Sequence, residues 1–450
     1  MVTLRKGIQS LSVISCALCC ISSAIGNAQA TPGNTEPASQ PISITLAEAI
    51  RRAQQNEPVF VTALAEQRSA TIDRYLTKAA MLPSVTYHNQ LLYTQPNGGV
   101  INNQSSPVFI ANNTVHEYIS QASINETLSV KQVADVRAAA AKSARADAEL
   151  ELSRRGLVGA VVNLYYSVQS TDKRQTLFEE ALRESQSFTD QTQKREAARE
   201  VAHADVVKAQ LQQQQRLRDL LDGRVAAEKA RLELAVLLFP DPRTPYTTLP
   251  PDQLAPMPTR EEVNAVASTN NPEVKSALAS LQQSDAEVLG AKAAYLPDLA
   301  LNFTYGIDAP QFAKRGPDGI NNLGYSISGT IDIPVWDWFS TQKRIKQSKI
   351  RNQAAHVMLT SAQRRLIATL DESYSEAATA REQLDLLDQS VRTATESLRL
   401  TNLRYTAGEA TALEVVDAQS SLISAQVAQA DGMVRYNAAL SNLKLLSGNL

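Results

Sequence analysis

The sequence predicts a mainly α-helical, internally duplicated chain that contributes four strands to a β-barrel closed across several copies and continued by long coiled-coil helices. Three observations predict it. Matching phrases recur in order at offsets of 207 to 214 residues, stretches in each half alternate apolar with small polar residues, and no proline occurs from 108 to 239 or from 335 to 450.

Repeats decide the organisation of a chain before its elements do. Here 78-KAAMLPSV-85 answers 292-KAAYLPDL-299 at an offset of 214, and Pro58 faces Pro272 at the same offset. The phrase 124-INETL-128 answers 331-IDIPV-335 at 207, and 205-DVVKAQ-210 answers 414-EVVDAQ-419 at 209, with Ala198 and Glu200 matching Ala407 and Glu409. The resulting division is a first repeat over 45–239, a connector over 240–258 and a second repeat over 259–450. Each repeat reads as helix, two strands, long helix, helix.

The opening helices run over about 46–80 and 259–294, with Thr45 and Thr259 as N-caps and Leu-Pro at 82–83 and 296–297 as breaks. Strands follow. In 299-LALNFTYGI-307 and 325-YSISGTIDIPV-335 apolar residues alternate with Asn302, Thr304, Ser326, Ser328 and Thr330, the period of a half-buried strand or barrel wall. The first half offers 85-VTYHNQLLYT-94 in the same place, and turn-rich stretches over 95–107 and 308–322 join the strands. Beyond them Leu384, Leu387, Val391, Ala394, Leu398, Thr401 and Tyr405 recur at threes and fours, a heptad seam. A helix of about 65 residues would be on the order of 100 Å long. Breaks near Arg199 and Gly408 fold each half back into a second helix, about 203–238 and 411–446. The prolines of 240–258 make an extended, semi-rigid connector.

At the N-terminus Arg5 and Lys6, an apolar run over 11–25 and Ala28-Gln29-Ala30 read as a signal peptide over 1–30, followed by a flexible lead over 31–44. All three cysteines, Cys16, Cys19 and Cys20, lie inside that segment, and Val13-Ile14-Ser15-Cys16 also resembles a lipid-attachment box. A net charge of −2 with 20% charged residues gives no basic stripe for nucleic acid. No later stretch has 18 consecutive apolar residues, so an exported chain is either soluble or inserted as a barrel. Four strands are too few to close a barrel, for which about eight is the usual minimum. Three copies would supply twelve, and the long helices would prolong the cylinder as a tube.

On these features the chain resembles the TolC-like outer-membrane efflux protein family over nearly all of its mature length. The resemblance is carried by 45-TLAEAIRRAQQNEP-58, the two Leu-Pro breaks before strands, and above all 402-NLRYTAGEATALEVVDAQSSLISAQ-426. It implies a homotrimer with a twelve-stranded barrel among outer-membrane lipid and a periplasmic α-helical barrel. It also implies a passive exit duct for a tripartite efflux or type I secretion system, docked to a periplasmic adaptor (membrane fusion protein) and an inner-membrane RND or ABC transporter. By the same resemblance Glu414 and Asp417 match acidic positions of the channel constriction, and their i, i+3 spacing puts them on one helix face. Asp205 and Tyr405 match a closed-state latch, with Gly408 as the helix break. The family's basic residue just after that glycine is replaced by Ala410, leaving Arg404 and Arg199 as nearby cations.

Each residue has a plainer reading as well. Glu414 and Asp417 fit a solvated helix face, Lys208 a solvated or intersubunit charge, and Tyr405 a seam position. Trp336 and Trp338 fit an interfacial anchor or packing at a strand–helix junction. Nothing points to an enzyme, a cofactor or a metal: His88, His116, His203 and His356 are scattered, and no phosphate loop, nucleophile elbow or cysteine nucleophile is present. The alternatives to a duct are a periplasmic coiled-coil adaptor, expected to have one hairpin flanked by small β domains, or a structural protein of the cell envelope.

Overall fold

The computed structural model describes residues 42–93, 100–101, 104–105, 116–249 and 256–448. The expected signal peptide and Cys16 lie outside them. In chain order the elements are β1 (Ile42–Ile44), α1 (Leu46–Asn56), α2 (Pro58–Ala79), β2 (Ser84–Tyr93), β3 (Val100–Ile101), β4 (Gln104–Ser105), β5 (His116–Leu128), α3 (Val130–Ala197) and α4 (His203–Leu238). Then come β6 (Tyr246–Thr248), α5 (Arg260–Asn270), α6 (Pro272–Ala293), β7 (Asp298–Ala309), β8 (Leu323–Asp332), α7 (Ser340–Thr406) and α8 (Ala412–Ser447).

Three expectations change. Each opening helix is two helices, because Pro58 and Pro272 start new ones. A residue before proline is pushed out of the helical region, and Glu57 and Asn271 sit at ψ 116° and 121°. The proline itself costs nothing at the first helical position, where its missing N–H has no partner to lose. Second, the flexible lead ends in a strand: β1 pairs in parallel with β6, and Ile44 is wholly buried. Third, the connector is therefore pinned. The Tyr165 hydroxyl lies 2.9 Å from the Ile44 carbonyl and 2.7 Å from that of Leu249, and it accepts from the Leu249 N–H at 3.1 Å.

Strands β2, β5, β7 and β8 form one antiparallel sheet in that order, so each half supplies two neighbouring strands. Their register keeps the residue types in rows. Val85, Ile124, Phe303 and Ile327 lie side by side, as do Tyr87, Ala122, Tyr305 and Tyr325. On the opposite face lie Thr86, Ser123, Thr304 and Ser326. The polar face is cross-linked: Ser123 Oγ meets Thr304 Oγ1 at 3.4 Å, and Asn302 donates to Asn125. Among the described residues nothing covers the apolar face, and Val85, Tyr87, Tyr325 and Ile327 are all exposed.

Helices α3 and α7, of 68 and 67 residues, are each about 100 Å long. The heptad positions of α7 are its less exposed ones, Leu384 and Tyr405 being buried. Packing repeats across the duplication. Ala49, Ala53, Val161, Val168 and Leu234 form one core with β1 and β6, while Val263, Ala267, Leu370, Ala377 and Leu443 occupy the corresponding places in a second. A side chain at Gly223 would strike the Phe178 ring, and one at Gly432 would strike Leu387. Both pairs recur at an offset of 209, so the same close approach of two helices is built twice. Among the described residues no helix is long and apolar enough to cross a membrane.

Candidate functional site

The expected site residues collect at one end of the long helices, where α3 turns into α4 and α7 into α8. Both turns reverse through a residue with left-handed backbone, Arg199 at φ 61° and Gly408 at φ 80°. Both close with the same bonds, Glu200 N–H to Arg195 C=O and Glu409 N–H to Arg404 C=O, each 2.8 Å. An αL residue with a bond back across the last turn satisfies carbonyls that a helix end leaves open. Between the turns Phe188, Ala209, Tyr405, Ala412, Val415 and Val416 form a small apolar core, and Ala410 packs on it. Ala410 thus sits where a charged side chain would be poorly solvated.

Glu414 does a local job. Thr411 caps α8, accepting from the Glu414 N–H at 3.4 Å, while the Glu414 carboxylate accepts from the Thr411 N–H at 3.1 Å. This reciprocal pair satisfies two open donors of the helix start. Arg404 adds an ion pair at 3.2 Å. The Thr411 backbone bond, with lesser contributions from its hydroxyl and Arg404, holds the Glu414 carboxyl below its ordinary pKa. Asp417, one turn on, is exposed, and its carboxylate has no partner among the described residues. Glu414 is a committed charge and Asp417 an open one.

The first hairpin lacks this cap. Ala202 stands at the N-cap of α4 with no side chain to accept a bond, so Asp205, in the slot of Glu414, is not drawn into one. Its carboxylate and the exposed Lys208 have no partner among the described residues.

The structure does not bring Tyr405 and Asp205 together within the chain. The Tyr405 hydroxyl, buried, instead meets Thr192 Oγ1 at 3.3 Å. The cation beside Tyr405 is Arg195, and neither Arg404 nor Arg199 takes that place. Its guanidinium lies 4.7 Å from the ring centroid and donates to the Tyr405 carbonyl at 2.9 Å, with Glu200 paired at 3.1 Å. A cation at the C-terminal end of α7 also suits the helix dipole. Sequence reading missed Thr192, Arg195 and the cap at Thr411. The last was legible as Thr-x-x-Glu before an apolar run, and Arg195 stands 209 residues before Arg404.

Among the described residues no cluster of His, Cys, Asp or Glu could hold a metal ion. Trp336 packs edge-to-face on Trp338 at 5.8 Å and on Phe339 at 5.3 Å, and all three are exposed, so they form no core among the described residues.

Comparison with known proteins fits this arrangement. Residues 265–449 match the Outer membrane efflux protein family. Outer membrane protein TolC of Escherichia coli is 25% identical over 36% of this chain and 34% of its own length. Probable efflux pump outer membrane protein TtgC of Pseudomonas putida is 24% identical over 65% of this chain and 60% of its own. The first three curated relatives are each matched over about a third of their length. The CmeC outer membrane channel of Campylobacter jejuni shares the fold with a TM-score of 0.74 at 16% identity, over 90% of this chain and 85% of that one. In its second half the sequence is thus similar to the outer membrane efflux protein family, and the described residues share the fold of outer membrane channels.

Proposed function

We propose that three copies assemble into a twelve-stranded outer-membrane barrel continued by a periplasmic helical barrel, forming a passive exit duct for a tripartite efflux or type I secretion system. The observation that carries this reading is the four-stranded sheet. One face is mainly apolar, with Asn89, Ser120 and Glu126 its polar members, the other carries rows of small polar residues, and its outer strands β2 and β8 have no partner on their far sides among the described residues. Unpaired backbone groups are not tolerated in lipid, so such a sheet is completed only by closing against further copies. Strands of 10 to 13 residues match the roughly 9–11 that a tilted membrane strand needs. Pairing of β5 with β7 joins the two halves in one sheet, unlike the single hairpin of an adaptor.

In the trimer the turns at Arg199 and Gly408 close the far end of the tube. Three copies of Asp417, with Glu414 behind it, place carboxylates around the axis, favouring cations and opposing anions. Close carboxylates would titrate as a set rather than one by one. The Arg195–Tyr405–Thr192 contacts hold the two hairpins of each subunit together, and Asp205, without a side-chain partner among the described residues, accepts from a neighbour. Opening is the work of an adaptor and an inner-membrane transporter of the RND or ABC type. Extraction tests the assembly: the full chain should need detergent and migrate as a heat-modifiable trimer, whereas a water-soluble monomer would end the reading.

A further inference from the structure

We infer that the start of α7 is a binding collar for anionic phospholipid headgroups of the inner leaflet of the outer membrane. This rests on the barrel reading above.

The aromatic cluster of Trp336, Trp338 and Phe339 lies between the end of β8 and the first turn of α7. The chain holds these rings outward at a conformational cost, because Trp338 and Phe339 both have left-handed backbone, at φ 55° and 63°. Trp338 is 83% exposed. The carboxylate of Asp337 accepts from the Thr341 N–H at 2.7 Å and from the Ser340 hydroxyl at 3.0 Å, which fixes the turn and occupies the nearest acid. Amphipathic rings at this level suit the boundary between hydrocarbon and headgroups.

Directly beyond the rings come Lys343, Arg344, Lys346, Lys349 and Arg351. All five are exposed, and none has an ion-pair or hydrogen-bond partner for its side chain among the described residues. They are spread around the solvent-exposed part of the helix, more than half its circumference. The opposite side carries Thr341, Ile345, Ser348 and Asn352, which are buried or half-buried, and Asn352 donates to Ser284 and Asp285 of α6. At 1.5 Å per residue, Lys343 to Lys346 lie within about 10 Å of the helix start. Their long stems can reach back to the headgroup layer while the charges stay in water. Most cations elsewhere on α7 are paired within the chain, among them Arg365, Arg381, Arg392, Arg399 and Arg404. The first half has no such collar, for Ser129 caps α3 immediately after β5 and only Lys131 and Arg137 follow in its first two turns. Unpaired cations beside an aromatic belt complement an anionic leaflet, and the attraction fades within a Debye length.

The two tryptophans of the chain are both in this cluster, so tryptophan fluorescence reports on this site alone. The full chain is reconstituted in phosphatidylcholine vesicles containing equal fractions of either brominated phosphatidylglycerol or brominated phosphatidylcholine as quencher. Quenching by the anionic lipid should exceed that by the zwitterionic lipid about threefold, and the excess should fall as salt rises. The triple variant Lys343→Gln, Arg344→Gln, Lys346→Gln should lose the excess but keep the quenching by brominated phosphatidylcholine. The charge-preserving triple variant Lys343→Arg, Arg344→Lys, Lys346→Arg should retain both. Equal quenching by the two lipids in the wild type overturns the collar and leaves the barrel standing. Quenching by neither overturns the barrel placement itself.

Discussion

Arg195 stacks on Tyr405 at 4.7 Å and donates to its carbonyl at 2.9 Å, tying the end of α3 to the end of α7 across 210 residues of chain. Thr192 completes the contact from one turn away. The two hairpins are thus joined at the place where a periplasmic closure would form. Tyr405→Phe and Thr192→Val should therefore raise closed-state leakage to a similar extent, and the double variant no further. Arg195→Ala should leak more than either, since it loses both the ring and the carbonyl. Sensitivity to a large antibiotic normally held outside, with purified-channel conductance, checks the order. Leakage in Asp205→Asn alone would shift the latch to a bond between subunits.

Glu414 and Asp417 should separate by phenotype. Asp417→Asn should reduce cation selectivity and block by multivalent cations while leaving the melting temperature unchanged, because its carboxylate has no partner among the described residues. Thr411→Ala should lower stability by about 1 kcal/mol through loss of the cap, with selectivity changed less. Paired reversal-potential and thermal-melt measurements distinguish the two effects. Equal loss of stability in both variants would contradict the assignment.

The two helix breaks differ in how well their residues suit them. Arg199 holds a left-handed backbone that costs a non-glycine residue roughly 1–2 kcal/mol, whereas Gly408 holds the same shape freely. Arg199→Gly should be stabilising or neutral, and Gly408→Ala destabilising by about 1 kcal/mol. Denaturant midpoints of the two variants test this, and a stabilising Gly408→Ala would contradict it.

Most of this architecture was legible because its signals are local or repeated. The seam from Leu384 to Tyr405, the breaks at Arg199 and Gly408 and the strand alternation are each visible within a short window. What escaped is instructive. Pro58 and Pro272 align across the repeats, but the apolar pattern continues on both sides of each, so the sequence hides that each proline takes the first position of a new helix. The strand at Ile42–Ile44 exists only because β6 lies beside it, about 200 residues away. Tyr405 stands out in the sequence as a seam position, but its partners Thr192 and Arg195 are set by how two long helices dock, which no local pattern encodes.

Acid should loosen the contact of α3 with the ends of α5 and α8. Glu151 bridges Arg154 and Arg155, and Arg155 donates to the Leu445 carbonyl at 3.0 Å and the Asn270 carbonyl at 3.2 Å. Bonding to Arg154, opposed by partial burial and reinforced by Arg155, lowers the Glu151 pKa from 4.5 to about 2. A depressed folded-state pKa means stability that is fully present above about pH 4.5 and is lost as pH falls toward about 2. Solvent screening limits its size. Wild type and Glu151→Gln should differ in melting temperature at pH 7 and converge as pH falls toward 2; a gap that widens in acid would contradict the bridge.

The close approaches at Gly223 and Gly432 should not tolerate bulk. Gly432→Leu would force Leu387 aside and cost about 1–3 kcal/mol. A matched Leu387→Ala should recover part of the loss, which a double-mutant cycle measures.

The most direct test of the account is single-channel recording of the purified full-length chain in a planar bilayer. The trimeric duct predicts discrete cation-selective openings whose selectivity drops in Asp417→Asn and whose closed time shortens in Arg195→Ala. A protein that inserts without conductance, or conducts with selectivity unaltered by Asp417→Asn, would contradict it.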